Sequence, residues 1–306
     1  MHGRILFSGA SGMLGTALRR ALEFETFQLV RRKPETDNEI EWHPTSEQPF
    51  ASTGQLEGLM AAIHLSGANV AAHRWTAAYK REMVESRVAS TRALATALAG
   101  LSRPPRVLLV ASGTGIYGNR GDELLDESSS AGSGFLAKLC QAWEEAARPA
   151  AEAGIRVVHL RSGLVLDSSA GALGRMLPAF RLGLGGPLGS GRQWMSWIAL
   201  PDLIAAVQFL LANEKLSGPV NIVAPNPVTS AEFASALGHA LHRPAMLPAP
   251  AFALRLAFGE MADEALLSGA RVIPKRLLQA EFEFQCPRID EALRAALRKT
   301  ANQSAE

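Results

Sequence analysis

The sequence predicts an α/β protein built on a doubly wound parallel sheet, with a smaller, mixed and mainly helical C-terminal lobe. Three observations carry this expectation. The apolar run Ile5-Leu6-Phe7 opens the chain and leads directly into Gly9-Ala-Ser-Gly-Met-Leu-Gly15. Apolar runs and longer amphipathic stretches then alternate through about the first two-thirds of the chain, as parallel strands joined by crossover helices require. Beyond about residue 165 the alternation loosens and prolines and glycines become frequent.

The elements follow in order. A first strand ends at Ser8, and a helix follows over Thr16–Leu22. Phe27–Val30 reads as a second strand and Ala61–Leu65 as another, running into Ser66-Gly67. A long helix is expected from about Thr76 to Ala99, then the strand Val107–Ala111, a helix over Phe135–Glu152 and the strand Ile155–Leu160. The glycine-rich segment Leu182–Gly191 reads as a loop. A helix over Pro201–Asn213, the strand Val220–Val223 and a helix from Ser230 come next. Pro244–Pro250, with three prolines, reads as a connector into a helical segment. These readings place a nucleotide-binding domain over residues 1–165, completed by sheet segments from about 200–225. A substrate lobe covers 166–299, including a helical domain over 250–299, and 300–306 reads as a frayed tail.

Composition narrows the function classes. With 306 residues, 47% hydrophobic and 20% charged, the chain is an ordinary globular sequence long enough for one large α/β domain and a lobe. A net charge of +2 with no long basic run gives no case for nucleic acid. The two cysteines, Cys140 and Cys286, make no disulfide framework, which points to a reducing compartment. The first residues read as a fold-forming strand rather than a signal peptide, and no apolar run reaches spanning length. A cytoplasmic protein with a small-molecule substrate and no membrane partner is therefore expected.

The glycine spacing has a chemical meaning. Gly9 permits a sharp turn after the strand, Gly12 leaves room for a pyrophosphate, and Gly15 lets the helix pack close to the sheet. Phosphates then rest on free N–H groups at the helix start, which assigns Ser11, Met13 and Leu14 to the same site. This context, a strand before and a helix after, is that of a Rossmann-type dinucleotide site. The second strand ends in Val30-Arg31-Arg32-Lys33, with no carboxylate before Glu35. An acidic residue there would take a ribose 2′-hydroxyl, whereas guanidinium groups suit a 2′-phosphate. Arg31 and Arg32 therefore point to NADP(H), although a solvated basic turn has the same composition.

Further segments carry a resemblance to a known family. They are Ile63-His-Leu-Ser-Gly-Ala-Asn69, Glu85-Ser-Arg-Val-Ala-Ser-Thr91, Ser112-Gly-Thr-Gly-Ile-Tyr-Gly118, Phe135–Glu144, Phe180–Gly186 and Gly218-Pro-Val-Asn221. On these the chain resembles the extended short-chain dehydrogenase/reductases, and more narrowly their atypical, epimerase-like subgroup. Phe252–Pro274 resembles the small domain of unknown function found in that subgroup. The resemblance implies hydride chemistry with a nicotinamide cofactor. It also assigns Leu65, Ser66, Gly67, Glu82, Arg87, Leu164 and Val165 to cofactor binding, and Tyr117 and Trp194 to the substrate pocket.

The chain departs from the family where proton transfer is concerned. Ordinary members place a tyrosine and a lysine one helical turn apart, the lysine lowering the phenol pKa. Here Met83 stands four residues after Tyr79 and Gly121 four after Tyr117, so the pair is absent. The matching helix has Leu136 in the tyrosine position and Cys140 in the lysine position. Arg87 replaces the family asparagine, and Gly113 stands where a reactive hydroxyl is usual. Ser112, Thr114 and Cys140 remain as candidate proton-handling residues. Each has a plainer reading: strand-end hydroxyls often cap backbone, and Cys140 shares helical spacing with Leu136, Trp143 and Ala147 as a core residue would. His64, in an apolar strand, reads as a satisfied core histidine, and Asp202 as a helix cap. No His/Cys/Asp/Glu grouping has metal-ligand spacing.

Two functions follow. The first is an NADP(H)-dependent oxidoreductase or epimerase-like enzyme lacking the Tyr-x-x-x-Lys pair. The second is a non-catalytic NADPH-binding protein with a regulatory or redox-sensing role, since some members of the family are linked to cell or plastid division.

Overall fold

The computed structural model describes residues 3–303, with the side chains of 299–303 outside the description. A seven-stranded sheet forms its frame: β1 (Arg4–Ser8), β2 (Glu25–Val30), β3 (Glu39–Glu41), β4 (Ala61–His64), β5 (Val107–Gly113), β6 (Arg156–Ser162) and β7 (Gly218–Ile222). Their order across the sheet is β7-β6-β5-β4-β1-β2-β3. The pairs β1/β2, β1/β4, β2/β3 and β4/β5 are parallel. Ile5, Leu6 and Phe7 are fully buried, as expected of a strand covered on both faces. The strand order reverses direction at β1, so the loops leaving β1 and β4 diverge there and open a crevice beyond their carboxyl ends.

Three helices position the site. α1 (Met13–Ala21) starts one turn before the expected Thr16, because Gly12 in extended conformation already serves as its N-cap. α2 (Ala77–Ala99) is started by Thr76, whose Oγ1 accepts from the Tyr79 N–H at 3.1 Å. α3 (Phe135–Glu145) ends earlier than Glu152. A separate short helix, Arg148–Glu152, follows it with Pro149 in its first turn, a position where a missing N–H does no harm.

Other boundaries also shift. The second strand extends back to Glu25 and the fifth forward to Gly113. The strand β3 was not expected, being three residues long with two glutamates. The last helix, Ile289–Gln303, runs through residues 300–303 that read as tail, and 304–306 lie outside the described residues.

The chain divides into two compact units. One holds the residues up to Ser112 with Leu139–Leu160 and Gln208–Pro219; the other holds Gly113–Lys138, Arg161–Val207 and the residues from Val220 onward. The first has its own core around Leu6, Leu56, Leu98, Leu108 and Trp143. The second has another around Leu173, Trp197, Phe233 and Leu293. In this second unit the helix Ser230–Leu241 begins with a reciprocal capping box between Thr229 and Glu232. Two buried carboxylates are satisfied by backbone: Asp202 accepts from the N–H groups of Gln285 and Cys286, and Glu127 from that of Asn221. Burial raises both carboxyl pKa values and these hydrogen bonds oppose the rise. Asp202, which lies inside the helix Leu200–Ala212, thus ties down the segment before the last helix and does not cap its own helix as the sequence suggests.

Candidate functional site

The loop after β1 has the shape its glycines predict. Gly9 sits at φ +69°, and a Cβ there would lie 2.8 Å from the Leu65 carbonyl carbon. A Cβ on Gly15 would meet the Gly9 carbonyl oxygen at 2.3 Å and the Ala10 Cα at 2.8 Å. Both neighbours are backbone, so neither position can yield. The Gly12 N–H donates to the Gly9 carbonyl at 3.1 Å, and the first intrahelical bond runs from Thr16 N–H to Gly12 carbonyl at 2.8 Å. Met13, Leu14 and Gly15 therefore begin α1 with N–H groups that have no acceptor among the described residues. The first turn carries neither an acidic residue nor a side-chain cap. Uncapped N–H groups at a positive dipole end suit an anion.

A cavity of about 960 Å³ opens on this loop. Gly9, Ser11 and Gly12 line it, as do Leu65, Ser66 and Gly67 from the loop after β4 and Glu82 from α2. With Arg31 and Arg32, nine sequence-assigned residues thus meet in one crevice at the point where the strand order reverses. A volume near 1,000 Å³ is at the upper end for small-molecule and cofactor sites.

The far end of the cavity is basic, and its two arginines differ. Arg31 lines the cavity and makes no hydrogen bond or ion pair among the described residues. Arg32 lines it too, but its guanidinium is held by both carboxylate oxygens of Glu39 at 2.7 and 2.9 Å. This pairing raises the Arg32 pKa, and the Glu39 carboxyl is lowered by the same hydrogen bond. β3 is what brings Glu39 there, since its register sets Glu39 opposite Gln28. The sequence reading also missed Trp42, His43, Pro44 and Thr45, which follow β3 and form part of the cavity wall.

Behind the glycine loop, His64 joins three elements. Its Nδ1 lies 2.6 Å from the Ser8 hydroxyl and its Nε2 3.2 Å from the Ser90 hydroxyl. It is fully buried, and burial lowers its pKa to about 3, so the ring is neutral at physiological pH. This matches the core reading. Arg87 is also buried; its guanidinium donates to the carbonyls of Met83 and Ala68 and stacks 5.0 Å over Trp143. A Cβ on Gly67 would sit 3.0 Å from the Arg87 Cζ, so Arg87 supports the β4 loop from beneath. Burial lowers its pKa, opposed by its electrostatic interactions with Cys140 and Tyr79.

The helix face that lacks the tyrosine and lysine carries something else. Glu144 stands four residues beyond Cys140, hence on the same side of α3. Its Oε1 accepts from the Ser112 hydroxyl at 2.7 Å. Ser112 stands two residues beyond Val110, which pairs with His64 at the end of β4; neither Ser112 nor Glu144 nor Cys140 is among the residues lining the cavity. Cys140 is buried and within electrostatic reach of Arg87. Ser112 thus pairs with Glu144, while Arg87 reaches both Cys140 and the β4 loop.

The remaining sequence candidates belong to the second unit. Thr114 starts a single turn, Thr114–Tyr117. Tyr117 is fully buried, its hydroxyl donating to Asn221 Oδ1 at 2.8 Å and accepting from Arg161 at 3.0 Å; burial raises its pKa. Leu164 and Val165 lie in the strand Leu164–Leu166, paired with Trp197–Ala199. The Trp194 indole donates to Asp122 at 2.7 Å beneath the Arg271 guanidinium. No grouping of His, Cys, Asp or Glu among the described residues could hold a metal ion.

A parallel sheet with a glycine cradle at its switch point defines a dinucleotide-binding α/β protein of the Rossmann type. Residues 5–223 match the NAD dependent epimerase/dehydratase family, and residues 249–296 match a domain of unknown function, DUF1731. The chain belongs to this family. It is similar to an epimerase family protein of Mycobacterium bovis, 46% identical over 94% of this chain and 96% of that one. The human epimerase family protein SDR39U1 is 36% identical over 95% of this chain and 98% of that protein. A crystal structure of the human protein, solved with NADPH, superposes with a TM-score of 0.88 at 34% identity over 96% and 99% of the two chains. MoeE5 in complex with UDP-glucose and NAD shares the fold, with a TM-score of 0.76 at 19% identity over 99% and 100%.

Proposed function

We propose that the protein is an NADP(H)-dependent oxidoreductase or epimerase-like enzyme acting on a small carbonyl or alcohol substrate, with Ser112 and Glu144 handling the proton. The observation that carries this reading is the 2.7 Å hydrogen bond between Ser112, near the end of β5, and Glu144 on α3. The NADPH in the human relative's crystal supports the cofactor assignment, as do Arg31 and Arg32 on the cavity lining.

The chain's own residues fit such a cofactor. The N–H groups of Met13, Leu14 and Gly15 would hold the pyrophosphate, Glu82 a ribose hydroxyl, and Arg31 with Arg32 a 2′-phosphate. A bound nicotinamide supplies hydride transfer to or from a substrate carbon. The rest falls to side chains. In the oxidation direction a substrate hydroxyl gives its proton to Ser112 Oγ while the Ser112 proton passes to Glu144 Oε1; reduction runs this in reverse. Arg87 positions the β4 loop, and Cys140 fills the former lysine position beside it.

The empty tyrosine and lysine positions, Leu136 and Cys140, favour a second reading: an NADPH-binding protein with no turnover, serving regulation or redox sensing. One experiment separates the two. NADPH oxidation is followed against a broad panel of aldehydes and ketones with wild type, Ser112→Ala and Glu144→Gln. Turnover in wild type that falls at least about 100-fold in both variants, with NADPH still bound, supports the enzyme. Stoichiometric NADPH binding with no oxidation on any substrate supports the second reading.

A further inference from the structure

Large apolar side chains that stand out into water cluster in one part of the second unit. Leu182, Leu184, Met246, Leu247, Phe252 and Leu256 are each more than half exposed, Met246 at 82% and Leu182 and Leu256 at 75%. They come from three segments held together. The Leu247 N–H donates to the Gly185 carbonyl at 3.2 Å, and the Gly189 N–H to the Ala249 carbonyl at 2.9 Å. Gly183 lies against the Pro244 ring. The helix Ala251–Phe258 follows directly; Leu254 is its only buried residue, and Phe252 and Leu256, four apart, share its outer side. A contiguous apolar patch on a folded surface marks a contact site.

Its charge says what the contact is. Residues 171–192 and 239–258 together contain five arginines and two histidines and no aspartate or glutamate. At the chain's average frequency of acidic residues, about four would be expected in a stretch of that size. Arg181, next to Leu182, and Arg243, three residues before Met246, are exposed, as is Arg192, while Arg255 is paired with Asp263 at 2.9 Å. Two copies of such a surface would set cation against cation. Side chains this exposed project as tips rather than line a groove, so they offer a protein segment no pocket to fill. Projecting apolar tips ringed by cations suit a lipid interface with anionic headgroups, which accepts the tips without a matching shape.

We propose that this surface is a peripheral contact for anionic membranes, made by Leu182, Leu184, Met246, Leu247, Phe252 and Leu256 with Arg181 and Arg243 at its rim. The absence of a spanning segment, on which the sequence reading excluded a membrane partner, does not bear on a contact that lies in the interface. No helix among the described residues is long and apolar enough to cross a membrane, and this contact needs none.

The test is co-sedimentation of the full chain with vesicles of phosphatidylcholine alone and of phosphatidylcholine with 30% phosphatidylserine. Binding to the anionic vesicles should exceed that to neutral ones by at least about tenfold and fall steeply with salt. A double variant, Leu182→Ser with Leu184→Ser, and a second, Phe252→Ser with Leu256→Ser, should each reduce it at least about fivefold. Arg181→Glu with Arg243→Glu should abolish the preference for anionic vesicles. Thermal melts identify any variant that fails to fold, and the double variant on the other segment then decides. Failure of wild type to bind anionic vesicles overturns the proposal, as does binding unchanged in all folded variants. A wild-type dimer in sedimentation equilibrium that Met246→Glu converts to monomer, with no vesicle binding, assigns the patch to a second copy instead.

Discussion

The glycine cradle after β1 and the Leu136–Cys140–Glu144 side of α3 lie in the same protein but have kept different amounts of the family's pattern. At the cradle, every position that must be glycine is glycine, and a Cβ at Gly9 or Gly15 would strike backbone. On α3, Leu136 and Cys140 stand where tyrosine and lysine belong, and a Ser112–Glu144 hydrogen bond lies one turn further along. The contrast follows from what each task requires. A pyrophosphate is held by backbone N–H groups, which only one loop geometry presents. A proton can be moved by any hydroxyl and carboxylate within hydrogen-bond reach. Cofactor binding therefore ties the sequence down at the loop, while the acid–base group is free to move.

Four perturbations test that contrast. The largest effect is expected from Gly15→Val: with the Gly9 carbonyl 2.3 Å from even a Cβ, the loop must rebuild. NADPH affinity measured by calorimetry should fall by about 1,000-fold or more, with a stability loss of roughly 1–3 kcal/mol. Retained affinity would mean the cradle does not hold the cofactor. Next, Glu144→Gln should lower turnover by about 100-fold or more and leave NADPH binding within about twofold of wild type. A variant that loses both together would place Glu144 in structure rather than chemistry.

The third concerns His64, which ties Ser8 at the base of the cradle to Ser90 on α2. Its folded pKa of about 3 lies below the ordinary value of 6.5. Between those values the unfolded chain binds the extra proton, so His64 favours the fold fully above about pH 6.5 and progressively less as pH falls toward 3. Urea unfolding at pH 5 should show about 2 kcal/mol less stability than at pH 7 from this group. His64→Asn should flatten that part of the profile; an unchanged slope would assign it to other groups. The smallest effect is expected at the basic end of the cavity. Arg31→Ala should weaken NADPH about tenfold and leave NADH unchanged. Arg32→Ala should do less, because Glu39 already engages its guanidinium. Equal loss of both cofactors in Arg31→Ala would show that Arg31 does not bind the 2′-phosphate.

The cradle was legible in the sequence because its whole signal lies within residues 5–15, a strand, three glycines and a helix. The Arg31-Arg32 pair was legible for the same reason. What escaped depends on pairing over distance. Glu144 meets Ser112 across 32 positions, and no local spacing links them. Trp42–Thr45 reach the cavity only because β3 pairs with β2, and β3 is too short and too polar to announce itself as a strand. The patch around Met246 escaped for the same reason. Its residues sit in a loop, a proline-rich connector and a helix that no local spacing joins, and only the structure shows these segments held together and Leu254 alone of the helix Ala251–Phe258 buried.

An intact cofactor site with proton transfer through Ser112 and Glu144, as proposed, makes one comparison decisive. It is NADPH oxidation by wild type and Glu144→Gln, each loaded with NADPH to the same occupancy and presented with the same panel of carbonyl compounds. Wild type should oxidise NADPH, and the variant at least about 100-fold less. Equal oxidation by both, or none by either at full occupancy, would contradict the proposal.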